Sequence, residues 1–194
     1  MATEKIIKVL QSHIPQSLKE GRFKPAAVLV PIQERAEGDT LVLTQRAERL
    51  NSHRGQVAFP GGRVDSRDAG PLAAALRESH EEIGIDPRHV RILGQLDQVT
   101  AASNYLVTPF VGLIPSPYEF HLNPEETAAV FSVPIPALLE PGCFRMEPRP
   151  FSSGRQGPVC HFYYGGWDIW GATARIIIQL LELAYGFDLR QLRG

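Results

Sequence analysis

The sequence predicts an α+β chain with a mixed sheet between helices, and three observations predict it. Apolar, β-rich stretches flank a central helical segment, a second helical pattern follows near the C-terminus, and no repeat, low-complexity tract or linker divides the 194 residues. Strands before and after one helix suit a sheet covered by helices. A hydrophobic content of 43% in a chain of this length is enough to bury a core, so residues 1–194 read as one domain.

The elements follow in order. Residues 4–13 carry apolar side chains at helical spacing with an early acid, so they read as a short amphipathic helix rather than a signal peptide. Strands are expected over 26–32, 40–45 and 56–59, the last running into a turn at Gly61-Gly62. A helix over 72–83 comes next, with Gly84 after it. Further strands are expected over 90–96, 105–114, 128–133, 144–146 and 159–164. Pro115-Ser116-Pro117 and Pro148-Arg149-Pro150 are expected to interrupt strands. From 171 to 185, Ala174, Ile177, Ile178, Leu181 and Ala184 mark a helix ending at Gly186. Its apolar face is expected to cover the sheet, and a homodimer contact is the second reading. The Trp167-Asp168-Ile169-Trp170 cluster before it reads as core or turn packing in preference to a substrate platform.

Charge narrows the partners. The formal net charge is −1 and the basic residues form no long run, so neither nucleic acid nor a membrane surface is expected. Cys143 and Cys160 form no metal-spaced cluster and read as reduced thiols. With no targeting segment and no apolar run long enough to cross a bilayer, a cytoplasmic location is expected.

The chemistry concentrates at Arg77-Glu78-Ser79-His80-Glu81-Glu82, followed by Ile83-Gly84-Ile85. At about 100° per residue, Glu78 and Glu82 lie about 40° apart on a helix, and Glu81 is close enough in angle for the three to converge. In isolation this is unfavourable: a like-charge i,i+4 pair costs roughly 0.2–0.5 kcal/mol, and acids in a last turn oppose the helix dipole. Arg77 offsets part of it by reaching Glu81, and a divalent cation would offset the rest. A solvated acidic helix end is the other reading of the charges. Upstream, Gly61 and Gly62 let the backbone approach a ligand closely.

Strand, Gly-Gly loop, acidic helix and glycine stop together resemble the Nudix hydrolases. Arg77, Glu78, Glu81, Glu82, Gly84 and Ile85 match that family's signature in register. The chain departs from it where the first Glu falls on Ala69, the first Gly on Arg63 and an apolar position on Ser79. One extra residue before Arg77 puts Asp68 in the place of the first Glu, as a structural carboxylate or as a helix N-cap before Pro71. Ser79 is expected to pack against the sheet. A second block, Val42-Leu43-Thr44-Gln45-Arg46-Ala47 with Gly55 and Phe59-Pro60-Gly61-Gly62, is similar to the extra motif of Nudix enzymes that hydrolyse coenzyme A, with Asn51 where an Arg is usual. The resemblance extends over 26–184.

That resemblance implies a Nudix fold, an α/β/α sandwich with a mixed sheet, and cleavage of CoA or a derivative to 3′,5′-ADP and a 4′-phosphopantetheine. It implies Mg²⁺ or Mn²⁺ on Glu78, Glu81 and Glu82, with Arg77 orienting the carboxylates. The general base is then Glu81 or, from a distant loop, Glu126. Substrate phosphates call for arginine, and Arg46 and Arg54 are the candidates beside Gly61 and Gly62, with Arg49, His53 and Arg63 nearby. The competing functions are a Nudix enzyme for ADP-ribose, dinucleoside polyphosphates or NADH, and a Nudix-fold ligand sensor without turnover.

Overall fold

Strand β1 (Lys24–Gln33) is apolar on both sides from Ala26 to Ile32, so it needs cover on two faces and lies inside the sheet. It runs parallel to β7 (Tyr105–Ile114), in register from Lys24 opposite Tyr105 to Gln33 opposite Ile114. The computed structural model describes residues 2–18, 21, 23–49, 55–150 and 156–189. Around the central pair, β2 (Thr40–Arg46) joins β1 antiparallel, and β3 (Val57–Ala58) and β8 (Thr127–Pro134) pair with β2. β4 (Gly61–Arg63) pairs with β1, while β5 (Arg91–Gln95) and β6 (Val99–Ala101) pair with β7. The result is an eight-stranded mixed sheet.

Alternation along the strands assigns each face its helix. Ala27, Leu29, Val42 and Phe110 lie in the clusters that include Ala74, Ala75 and Ile83 of α2 (Pro71–Ile83). On the opposite face, Val30, Ile32, Leu41, Leu43 and Val111 pack with Ile6 and Leu10 of α1 (Ala2–Ser12) and with Ala174, Ile177, Ile178 and Leu181 of α4 (Gly171–Tyr185). Each fully buried aliphatic side chain contributes roughly 1.5–3 kcal/mol, so α4 is held by its sheet-facing stripe. The architecture is an α/β/α sandwich. A short helix α3 (Ile135–Leu138) leads to β9 (Phe144–Pro150), β10 (Gln156–Tyr164) and β11 (Trp167–Trp170), an antiparallel three-stranded sheet that runs into α4.

Two local expectations change. The Gly61-Gly62 turn is instead the start of β4, with Gly61 opposite Val28 and Gly62 opposite Ala27. Pro148-Arg149-Pro150 does not interrupt its strand: β9 is the edge of its sheet, and Pro148 sits opposite Pro158, so neither nitrogen is asked to donate. The Trp167–Trp170 cluster packs as expected, as strand β11, with Ile169 in the core and Trp167 stacked on Phe131 at 4.2 Å between ring centres. Among the described residues no helix is long and apolar enough to cross a membrane.

Candidate active site

Helix α2 starts with Pro71, after Gly70, and stops at Gly84, whose N–H bonds the His80 carbonyl at 2.9 Å. Ala74, Ala75, Ser79 and Ile83 bury one stripe. Ser79 faces the sheet as expected and its hydroxyl donates to the Ala75 carbonyl at 2.6 Å. The acids lie on the neighbouring stripe, beside β4. There the two glycines allow a close approach, which at Gly61 a Cβ would block. Gly61 has φ of 147°, and a Cβ on it would lie 2.4 Å from the Ala27 carbonyl oxygen. A Cβ on Gly62 would lie 2.5 Å from the Glu78 carboxyl carbon.

Glu82 is 4% exposed. One carboxylate oxygen accepts from the Gly61 N–H at 3.1 Å, and the other lies 3.5 Å from Arg46 Nη1. Burial pushes its pKa up to about 7, against the Gly61 N–H and the Arg46 charge, which pull it down. Burial also raises Glu78, with Arg77 opposing.

Glu126 reaches these two from a distant loop because that loop is bonded to the end of α2. His121 N–H donates to the Ile83 carbonyl at 3.0 Å and Asn123 N–H to the Glu82 carbonyl at 2.9 Å. Asn123 then organises the turn, accepting from the N–H groups of Glu126 and Thr127 at 3.0 and 2.8 Å. Ligand oxygens of Glu78, Glu82 and Glu126 consequently lie within 4.8 Å of one another.

Residues 22–153 match the NUDIX domain family. The chain belongs to that family. It is 43% identical over 160 residues to a protein of Citrobacter koseri described as an uncharacterized Nudix hydrolase NudL, covering 81% of each chain. A NudL protein of Photorhabdus laumondii is 42% identical over 168 residues, covering 87% of this chain and 88% of the other. Among solved structures, a MutT/nudix family protein from Enterococcus faecalis superposes with a TM-score of 0.55 at 15% identity, over 99% of this chain and 74% of that one. The Nudix hydrolase RenU of M. smegmatis gives 0.51 at 22% identity, over 62% and 75%. This Nudix hydrolase is thus an enzyme of pyrophosphate bonds by family, and the structural likenesses establish its fold.

The Nudix helix distributes its remaining signature residues differently from the simplest expectation. Glu81 stands outside the group formed by Glu78, Glu82 and Glu126. It is half exposed and is held by Arg77 Nη1 at 3.0 Å. Arg77 is the hub of the other network: it also meets Glu78 at 2.9 Å, the Arg63 carbonyl at 3.3 Å, and both oxygens of Asp68 at 2.9 and 3.0 Å. Asp68 further accepts from the Asp65 N–H at 2.7 Å, and the Arg77 guanidinium holds its pKa down, to about 2. Asp68 is therefore the structural carboxylate and not a helix cap; Gly70 is the N-cap, without a side-chain bond.

Of the expected phosphate contacts, Arg46 turns its guanidinium to Glu82, and its buried Nε has no partner among the described residues. Arg49 pairs with Glu125 at 3.0 Å and with the Pro124 carbonyl. Arg54 and His53 lie outside the described residues. A cavity of about 440 Å³ opens beside the site on the α4 face, and Arg46, Gly61 and Gly62 are shared between its wall and the carboxylates. Sequence reasoning could not place this cavity, because its wall joins β1, β3, β4, β7 and the start of α4.

Proposed function

We propose that this Nudix hydrolase cleaves the diphosphate of coenzyme A or a CoA derivative by attack of water at phosphorus, releasing 3′,5′-ADP and a (acyl-)4′-phosphopantetheine. The observation that supports hydrolysis most directly is the convergence of Glu78, Glu82 and Glu126, two of them with pKa values raised by burial. Three oxygen donors in one partly buried group fit a hard divalent cation. We assign Mg²⁺ or Mn²⁺ to Glu78, Glu82 and Glu126. Bound there, such an ion would neutralise phosphoryl charge and make water a better nucleophile. The motif of 42–62 supports CoA over other diphosphates.

The chain's own residues divide the remaining work. Arg77 fixes Glu78 and Glu81 while its two bonds to Asp68 fix the guanidinium itself. Glu126 goes with the ion-holding group, which leaves Glu81 to accept the proton of the attacking water. The lack of a Cβ lets Gly61 press against Ala27 and Val28 of β1 and Gly62 against the Glu78 carboxylate, which sets β4 beside the acids. The cavity receives a part of the substrate beyond the diphosphate. Reduced thiols at Cys143 and Cys160 suit action in the cytoplasm.

Purified protein with Mg²⁺ or Mn²⁺, offered CoA, ADP-ribose, NADH and diadenosine polyphosphates in parallel, tests the reading. Release of 3′,5′-ADP from CoA well above turnover of the others is expected. Turnover of only the others would keep diphosphate hydrolysis and discard CoA, and no turnover at all would favour a ligand sensor.

A further inference from the structure

The geometry points to Arg63 as a specificity-determining residue that meets the 3′-phosphate of a nucleotide seated in the cavity on the α4 face. This rests on the CoA reading. β4, a strand of three residues, lies between the carboxylates and the cavity, and the backbone of Gly61 and Gly62 borders both. Gly62 abuts Glu78, so its face of β4 belongs to the carboxylates. By the alternation of a strand, Arg63 belongs to the other face, and it lines the cavity.

The cavity is apolar over most of its wall, with Ala26, Val28, Tyr105, Val107, Trp170 and Ile176 contributing. Among the described residues, Arg46 and Arg63 are the charged ones lining it. Arg46 is directed at Glu82. Arg63 is exposed, and among the described residues its guanidinium has no ion pair, whereas Arg49 and Arg77 are both engaged with carboxylates. Its backbone is nevertheless held, opposite Ala26 in the β4–β1 ladder and through its carbonyl to Arg77 Nη2 at 3.3 Å. A positioned backbone with an uncommitted guanidinium at the edge of an apolar cavity suits a planar apolar group that carries a separate anion.

The two halves of CoA differ in this respect. With the diphosphate at the carboxylates, the pantetheine half is uncharged, while the adenosine half carries a 3′-phosphate dianion. Only the adenosine half gives Arg63 a partner. Its base would have Tyr105 and Trp170 as aromatic wall, and the pantetheine arm would leave toward the opposite side of β4.

The test compares CoA with dephospho-CoA, which lacks only the 3′-phosphate, in wild-type protein and in Arg63→Gln and Arg63→Lys. Wild type is expected to favour CoA in kcat/KM by about tenfold or more, the scale of one charge-assisted phosphate contact. Arg63→Gln should bring that ratio close to one through KM rather than kcat, and Arg63→Lys should restore part of it. Loss of both substrates in equal proportion, or an unchanged ratio, would overturn the role. A second readout needs no turnover: calorimetric binding of 3′,5′-ADP and of 5′-AMP. Wild type should prefer 3′,5′-ADP and Arg63→Gln should not. If CoA proves not to be a substrate yet this preference appears and is lost in the variant, the site stands and the CoA activity falls. If CoA is cleaved and the preference is absent, the activity stands and the Arg63 role falls.

Discussion

Two arginine–carboxylate contacts flank the Nudix helix, and they leave their carboxylates in opposite states. Asp68 takes two bonds from Arg77 and a third from the Asp65 N–H, and its pKa falls to about 2. Glu82 takes one bond from the Gly61 N–H and a 3.5 Å contact from Arg46, with Glu78 and Glu126 close by, and its pKa rises to about 7. Both side chains are nearly inaccessible, at 6% and 5% exposed. Burial drives Glu82 up with only one N–H and a 3.5 Å arginine to oppose it, whereas at Asp68 the bonds from Arg77 and the Asp65 N–H outweigh burial and leave the carboxylate satisfied. Asp68 holds the scaffold, and Glu82 is left to meet a cation.

The largest way to break this contrast is Glu82→Gln, which keeps shape and removes the charge. Turnover with Mg²⁺ should fall by roughly three orders of magnitude, equivalent to about 4 kcal/mol of barrier, while circular dichroism shows an intact fold. Near-normal rates would remove Glu82 from the ion-holding group. Arg77→Lys should have the next largest effect, about 10- to 100-fold in turnover. A lysine cannot reproduce the fork that spans Asp68, Glu78 and Glu81, so the thermal midpoint should fall as well. Full activity in that variant would show that the network does not orient the acids.

The contrast also predicts a pH dependence. Glu82 in the folded chain holds its proton up to about 7, against a reference value of 4.5, so between these values the folded state binds more protons than the unfolded one. Without metal, stability should therefore be highest near pH 5 and decline as pH rises toward 8, by about 3 kcal/mol at most. Mg²⁺ should raise the thermal midpoint more at pH 8 than at pH 5.5, because it competes with that proton. Denaturation at both pH values, with and without Mg²⁺, checks the sign, and Glu82→Gln should flatten the metal-free profile. The smallest effect belongs to Ser79→Ala. Its hydroxyl bonds only the Ala75 carbonyl of its own helix, so turnover should hold and stability should change by about 1 kcal/mol or less. A large loss of rate there would mean that the sheet-facing stripe also sets the acids.

Legibility in the sequence followed the range of the interaction. Glu78, Glu81 and Glu82 could be placed on one helix, and the C-terminal helix over 171–185 agrees with the structure residue for residue, because helical periodicity is local. Gly61-Gly62 read as a turn because glycine is a poor strand former, yet tertiary pairing with Ala27 and Val28 makes it a strand. The partner of Arg46 lies 36 residues away, so no local pattern could distinguish a phosphate contact from an ion pair with Glu82. Glu126 was recognisable as a candidate acid. Its place beside Glu78 and Glu82 depends on backbone bonds from His121 and Asn123 that no side-chain pattern encodes. Asp68 was open between cap and scaffold until the bidentate bond to Arg77 decided it.

Those same two backbone bonds have a consequence for motion. His121 and Asn123 donate to carbonyls that the Nudix helix leaves without a partner of its own at its last turn, so opening the Glu126 loop would also uncap that end of the helix. The amides of His121 and Asn123 would then exchange with deuterium more slowly than those of a surface loop with no such bonds. The carboxylate cluster would assemble and come apart as one cooperative unit.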